Sequence, residues 1–174
     1  RELLLKLVEE CMAHDRYSFR RNVLQEKGET LRFNGYVWDG FAARINSVQA
    51  YYQRSMELLR PEIRSELFCA QRPVYAKEND AASTYIDPDG ECVNSLISDG
   101  CDIQGSVRNC VLFRGVRVEK GAHAENCILF KDTVVKAGAS IRCVIADKNV
   151  EFGGDVAMAG HAQYPLVVEK NTKL

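Results

Sequence analysis

The side chains able to do chemistry in this chain are few, and their spacing limits what they could do. The histidines are His14, His123 and His161, and the sequence sets no serine, cysteine or carboxylate constellation beside any of them, as a nucleophile and its base would require. His123 lies between Ala122 and Ala124, so it faces outward if its neighbours face in. Seven cysteines (Cys11, Cys69, Cys92, Cys101, Cys110, Cys127 and Cys143) include no C-x-x-C pair and are odd in number, which argues against a structural zinc site and a complete disulfide framework. The basic residues are more suggestive. Arg114 and Lys131 recur at equivalent places, Arg108 and Arg142 lie nearby, and Arg117, Lys120, Lys136 and Lys148 fall at turns. Stacked on one side, they would form a stripe that attracts anions. Glu119, Glu125, Asp132 and Glu151 dilute that stripe, and a solvated surface is the plainer reading of any one of these residues.

What could stack them is an internal repeat. Residues 108–115 read RNCVLFRG and residues 125–132 read ENCILFKD, 17 positions on. Asn94, Ser95, Leu96 and Ile97 take the same column upstream, and Arg142, Cys143, Val144 and Ile145 take it downstream, which makes four coils. Ile103, Val118, Val135 and Phe152 form a second register, with Val107, Ala122 and Ala139 four places further along three of them. A large aliphatic followed four residues later by a small one is the hexapeptide-repeat signature. Coils of 15 to 17 residues accommodate three short strands per turn, so the spacing predicts a parallel β-helix in which no coil buries its own face and stacking supplies the core. Periodicity alone does not set its hand. On this reading Cys110, Cys127 and Cys143 stack in the column of Ser95, and Cys101 stacks with Val116 and Thr133, as small packing residues in a reducing compartment. Both ends of an open stack need covers, and the stretch before Glu91 and the tail Tyr164 to Val168 are the candidates.

Composition bounds the rest. A chain of 174 residues, 46% hydrophobic, with a net charge of -1, has room for one domain or two small ones and no global pull toward nucleic acid or membrane. Apolar runs of a few residues cannot span a bilayer, and the first residues lack the pattern of a signal peptide, so the cytoplasm is the expected compartment. The opening on Arg1 directly in a helical pattern suggests a piece of something longer.

The first 86 residues follow other periods. Leu4, Leu7, Val8 and Cys11 predict an amphipathic helix, and Phe19 with Val23 a second, short one ending before Gly28. Residues 31–45, rich in aromatic and β-branched residues, alternate around Asn34 and Gly35 and read as a hairpin or one bent strand. Ser47 is a good N-cap for a helix presenting Val48, Tyr51, Tyr52, Ser55 and Leu59 on one face before Pro61. Residues 72–90, with Pro73 and Pro88, read as an extended linker.

Three stretches carry a family resemblance: GFAARINSVQAYYQRSMELL over 40–59, Arg72-Pro73-Val74-Tyr75, and NSLISDGCDIQGSV from Asn94. Together they resemble the C-terminal part of bacterial ADP-glucose pyrophosphorylase (glucose-1-phosphate adenylyltransferase). The resemblance implies a mixed α and β chain whose C-terminal left-handed parallel β-helix of hexapeptide repeats follows the end of an α/β nucleotidyltransferase domain. Residues 1–71 would be the end of that domain, 72–90 the linker and 91–174 the β-helix. The glycine-rich nucleotide loop and the ATP and sugar-phosphate residues of the family would lie outside these 174 residues.

One position departs from the catalytic pattern. Where catalytic members resemble W-x-D-x-G-T, with an aspartate helping to hold magnesium, this chain has Arg44 followed by Ile45, Asn46 and Ser47. A guanidinium repels a cation and could bind phosphate instead. The A-R-I pattern resembles the GlgD-type subunit, which is regulatory and non-catalytic or weakly catalytic and assembles with a GlgC-type catalytic subunit, as a tetramer in this family. The resemblance thus implies a glycogen-biosynthesis subunit with no catalytic residue and no cofactor in this stretch, magnesium being held by the parent enzyme. Lys148, Arg114, Lys131 and Arg142 are the candidates for binding a sugar-phosphate or nucleotide effector, and self-association is the other route to assembly. The competing readings are a catalytic-type subunit, a pure assembly module, and a hexapeptide acyltransferase; no long loop inserted among the four coils and no matching context around His123 favour the last.

Overall fold

A computed structural model describes residues 1–75 and 81–174. Residues 76–80 of the expected linker lie outside the described residues. The chain divides into two units, Arg1–Asp39 and Gly40–Leu174.

In the first unit the expected amphipathic helix is α1 (Glu2–Ala13), which buries Leu7 while Leu4 and Val8 remain exposed. The expected second helix forms as a π-helical segment, Phe19–Gln25, which buries Val23. The Ser18 hydroxyl caps it by accepting from the Arg21 amide at 3.3 Å. Lys27 ties this turn to α1 through the Glu10 carboxylate, at 2.6 and 2.7 Å. The hairpin or bent strand expected over residues 31–45 does not form: no residue in that span joins a ladder. Alternation marks a strand only where a partner edge and a face to bury exist, and Tyr36 and Val37 here are 86% and 80% exposed.

The second unit opens with α2 (Val48–Glu57) and α3 (Pro61–Leu67). Ser47 caps α2 by accepting from the Ala50 amide at 3.0 Å. Pro61, expected to close that helix, also starts the next one at its first turn, where a missing N–H costs nothing.

From residue 85 the chain winds as a parallel β-solenoid. Its first coil holds β1 (Tyr85–Ile86), β2 (Glu91–Val93) and β3 (Leu96–Ile97); the second holds β4 (Asp102–Ile103), β5 (Ser106–Arg108) and β6 (Val111–Leu112). The third contains β7 (Arg117–Val118), β8 (His123–Glu125) and β9 (Ile128–Leu129), and the fourth β10 (Val134–Val135), β11 (Ser140–Arg142) and β12 (Val144–Ala146). The fifth adds β13 (Glu151–Phe152), β14 (Ala157–Ala159) and β15 (Leu166–Val168). Equivalent strands stack into three five-stranded parallel sheets, β1-β4-β7-β10-β13, β2-β5-β8-β11-β14 and β3-β6-β9-β12-β15. The inward column Ile103, Val118, Val135 and Phe152 is fully or almost fully buried, as the repeat predicted, each side chain contributing about 1.5 to 3 kcal/mol.

The solenoid begins before the expected boundary at 91 and extends past the four visible coils. Tyr85–Ile86 pairs with Asp102–Ile103, so the end of the linker segment is already a rung. Leu166–Val168, read as part of a cover, is the fifth rung of its sheet.

Two columns differ from the repeat expected from the sequence. Coil two turns its first corner with Gln104 and Gly105 alone, whereas coil three uses Glu119 to Ala122. Val107 therefore pairs with Ala124 rather than Ala122. Gly105 makes the short corner possible, since a Cβ there would lie 2.4 Å from the Ala122 carbonyl oxygen. At the next corner Asn94, Asn109, Asn126 and Cys143 all have positive φ, between 43° and 54°. Cys143 thus continues the asparagine corner, and Val144 occupies the inward place after Cys127. The expected alignment of Cys143 with Cys110 and Cys127 is therefore off by one residue, because RCVI resembles NCIL while Cys143 stands level with Asn126. Asparagine suits the left-handed corner because its short amide tolerates that backbone.

Candidate functional site

The corner that leads from the third sheet back to the first gathers charge. Gly115, Asp132, Asn149 and Asn171 turn it with positive φ, and the residue before each is Arg114, Lys131, Lys148 and Lys170. Main-chain hydrogen bonds fix the register: Asp132 donates to the Arg114 carbonyl, Asn149 to Lys131 and Asn171 to Lys148, each at 3.0 Å. Rungs lie about 4.8 Å apart, so four cations line about 14 Å of one edge. Asp99 precedes them in the column, where Gly115 donates to its carbonyl at 3.3 Å. Lys131 pairs with Asp132 at 3.3 Å, while Arg114, Lys148 and Lys170 form no ion pair among the described residues.

Three of the four expected effector residues therefore share one column, and Arg142 does not. It stands on the second sheet, in register with Glu125. Lys120 and Lys136, also weighed from sequence, are matched within the chain, by Asp89 at 2.9 Å and by Glu151; each carboxylate holds the lysine's pKa above its usual value, chiefly through the hydrogen bond. Lys170 escaped the sequence reading because it follows Lys148 by 22 residues, where the two preceding steps of the column are 17. The extra length lies between β14 and β15. The signal available was the asparagine after each lysine, Asn149 and Asn171, whose side chains bond at 2.9 Å.

The cysteines of the solenoid interior are packing groups. Cys101, Cys110 and Cys127 are buried, and burial pushes the Cys127 thiol well up, the opposite of what a nucleophile needs. Cys143 instead borders an open groove of about 430 Å³ beneath α2, beside Tyr52 and Met56. His123 is exposed between buried Ala122 and Ala124, as expected.

Residues 81–161 match the GlmU-like C-terminal hexapeptide family. These coils are similar to a GlmU-like hexapeptide domain. The wider chain is 42% identical to the glycogen biosynthesis protein GlgD of Bacillus subtilis (strain 168), over 88% of this chain and 45% of that protein. It is 35% identical to the GlgD of Geobacillus stearothermophilus, over 69% of the chain and 35% of that protein. With the glucose-1-phosphate adenylyltransferase of Acetivibrio thermocellus it shares 33% identity, over 84% of the chain and 34% of that protein. The chain thus spans less than half the length of these relatives. Arg114, Lys131 and Lys148 of the basic column fall inside the matched span, while Lys170 lies beyond it.

Magnesium, implied for the parent reaction, does not fit the residues around Arg44. Arg44 is exposed and cationic, and the Ser47 hydroxyl already accepts from the Ala50 amide. Among the described residues there is no group of three or more His, Cys, Asp and Glu side chains able to hold a metal. No described helix is long and apolar enough to cross a membrane.

Proposed function

We propose that this chain is the C-terminal part of a GlgD-type subunit of glucose-1-phosphate adenylyltransferase, with a regulatory and assembly role in cytoplasmic glycogen biosynthesis. The parent reaction joins ATP and glucose 1-phosphate to give ADP-glucose and pyrophosphate, with magnesium held by a GlgC-type catalytic partner in a hetero-tetramer. On this reading residues 1–71 end a nucleotidyltransferase domain and the solenoid is left-handed.

The observation that carries the regulatory reading is the column of Arg114, Lys131, Lys148 and Lys170. Cations one rung apart suit an anion with several charged oxygens, and cations two or three rungs apart suit two phosphates on one small molecule. A sugar bisphosphate or a nucleotide has that form. Arg44, in place of a metal-holding aspartate, supports a subunit that modulates rather than catalyses.

The test is ADP-glucose formation by the full-length protein, alone and mixed with a catalytic paralogue, with and without fructose 1,6-bisphosphate. No turnover alone, with a changed rate or effector response in the mixture, is the expected result. Turnover alone at the partner's rate overturns the reading of Arg44 and makes this a catalytic subunit.

A further inference from the structure

Glycine follows one asparagine in this chain, Asn34. The solenoid asparagines Asn94, Asn109, Asn126, Asn149 and Asn171 are fixed at corners with positive φ. Four of them bond in pairs through their side chains, Asn94 with Asn109 at 2.8 Å and Asn149 with Asn171 at 2.9 Å. Asn22, within the π-helical segment, accepts from the Ser18 amide and donates to Glu26. Asn34 and Gly35 carry no such restraint. Both are exposed and stand outside every helix and ladder. Neither the Asn34 side chain nor the Gly35 amide makes a hydrogen bond among the described residues. Beyond its chain neighbours, no heavy atom lies within 4 Å of the place a Gly35 Cβ would take.

We infer that Asn34–Gly35 is a site of spontaneous covalent modification, where the asparagine side chain closes on the following backbone nitrogen and reopens as aspartate and isoaspartate. The Gly35 amide nitrogen, once deprotonated, attacks Asn34 Cγ. The bond from Cγ to Nδ2 breaks, and the side-chain nitrogen leaves as ammonia, taking up the proton that Gly35 gave away. Water then opens the five-membered succinimide at either carbonyl. Attack at the side-chain carbonyl gives aspartate; attack at the main-chain carbonyl gives isoaspartate, whose main chain runs through the former side chain. Solvent water is the one co-reactant, and nothing is oxidised or reduced. A side chain at position 35 would shield the nitrogen and confine the dihedrals that bring it to Cγ, and glycine does neither. The corner asparagines are spared on the same grounds: the amides after Asn109 and Asn126 belong to residues with a Cβ and already donate to the Ser95 hydroxyl and the Cys110 sulfur.

The product adds one negative charge to a chain of net charge -1, and isoaspartate lengthens the main chain by one carbon ahead of Arg44. The pairs Asp39–Gly40, Asp89–Gly90 and Asp99–Gly100 lead to the same ring by loss of water. In the two that belong to the solenoid the glycine amide is already engaged, Gly90 donating to the Asp87 carbonyl and Gly100 to the Ala82 carbonyl at 2.8 and 2.7 Å. At Asp39 the ring opens again with no change of mass, so a gain of mass identifies Asn34.

The test is to age the 174-residue chain in buffers from about pH 7 to about pH 9 and to follow it by tryptic peptide mass mapping. Cleavage after Arg32 and Arg44 releases residues 33–44, in which Asn34 is the one asparagine. Two products that separate on chromatography, each heavier by about 1 Da, are expected, forming about tenfold faster per pH unit because the nucleophile is a deprotonated amide. Gly35→Ala slows their formation about tenfold or more, and Asn34→Gln, whose ring would need a sixth member, gives neither. Circular dichroism confirms that both variants keep the wild-type fold. Unfolding in guanidinium chloride changes the wild-type rate by less than about threefold, because the folded chain leaves the site open. A peptide that keeps its mass overturns the site. Aspartate as the sole product overturns the ring, a Gly35→Ala rate equal to wild type overturns the part given to glycine, and a larger slowing by the fold shows that the structure protects Asn34 and overturns the inference. None of these results bears on the GlgD-type reading, which is decided in the ADP-glucose assay.

Discussion

The Tyr52 hydroxyl donates to the main-chain carbonyl of Asn126 at 2.7 Å, tying α2 to a corner of coil three across 74 residues of sequence. Around it Tyr51 stacks on Phe130, which in turn stacks on Phe113 with ring centres 4.6 Å apart. Burial raises the Tyr52 phenol far above its ordinary pKa. Tyr52→Phe is expected to cost about 1 to 2 kcal/mol, the loss of one buried hydrogen bond, and Tyr52→Ala about 3 to 5 kcal/mol. Urea denaturation of the two variants measures both.

Gly105 permits the short corner of coil two. Its Cβ position lies 2.4 and 2.5 Å from the carbonyl oxygens of Ala122 and Glu119, backbone atoms that cannot step aside without disturbing the ladder. Gly105→Ala should destabilise by about 2 to 3 kcal/mol. Gly35→Ala, with nothing within 4 Å, should stay within about 0.5 kcal/mol. Equal melting shifts for the two would refute the account of the corner.

Cys143 and Cys127 distinguish the two possible registers of coil four. If Cys143 continues the asparagine corner, Cys143→Asn is tolerated within about 1 kcal/mol, because the amide suits positive φ and, although the position is buried, it borders the open groove beneath α2. Cys127→Asn buries an amide among aliphatic groups and costs about 2 kcal/mol or more. The reverse order of stabilities would restore the register in which both cysteines point inward.

Thiol reactivity should follow burial and charge. The Cys69 thiol is held below its ordinary pKa chiefly by a hydrogen bond from Arg72, and it is only partly covered. Cys101, Cys110 and Cys127 are buried in the core. Iodoacetamide labelling followed by peptide mass mapping is expected to modify Cys69 early and these three only after denaturation.

Acid should release the Glu91–Arg108 clasp. Hydrogen bonds from Arg108 and Ser106 lower the Glu91 pKa from its ordinary 4.5. A depressed carboxylate contributes stability that is present above 4.5 and is lost as pH falls through the lower folded value. Glu91→Gln should therefore flatten the acid limb of the stability profile and leave the limb above neutrality unchanged. Melting temperatures from pH 7 down to about pH 3 test this.

The solenoid was legible because its signal is written several times over. RNCVLFRG and ENCILFKD repeat the inward Leu112 and Leu129 in register, and the match survives local variation. Corners are harder to read. The two residues missing after Ile103 and the added length before Leu166 change no hydrophobic position, so Val107 and Lys170 slipped from their columns. The strand expected around Asn34 failed for a different reason: propensity there had no neighbouring edge to act on. For the candidate site, the residue types were visible, but Arg142 precedes the corner at Cys143 and Lys148 the corner at Asn149, and the residue types alone do not tell these two corners apart.

Pairing in the ladder joins residues no further apart than Val144 and Leu166, and most rungs recur after 15 or 17 positions. Loop closure therefore costs nearly the same at every step, and the chain can wind up coil by coil like a zipper from wherever the first two rungs meet. The clasp between Tyr52 and Asn126 must wait, because its corner exists only once coil three is wound. Loosening it should accelerate unwinding and leave the rate of winding almost untouched, so this hydroxyl governs how long the wound state lasts rather than how quickly it is reached.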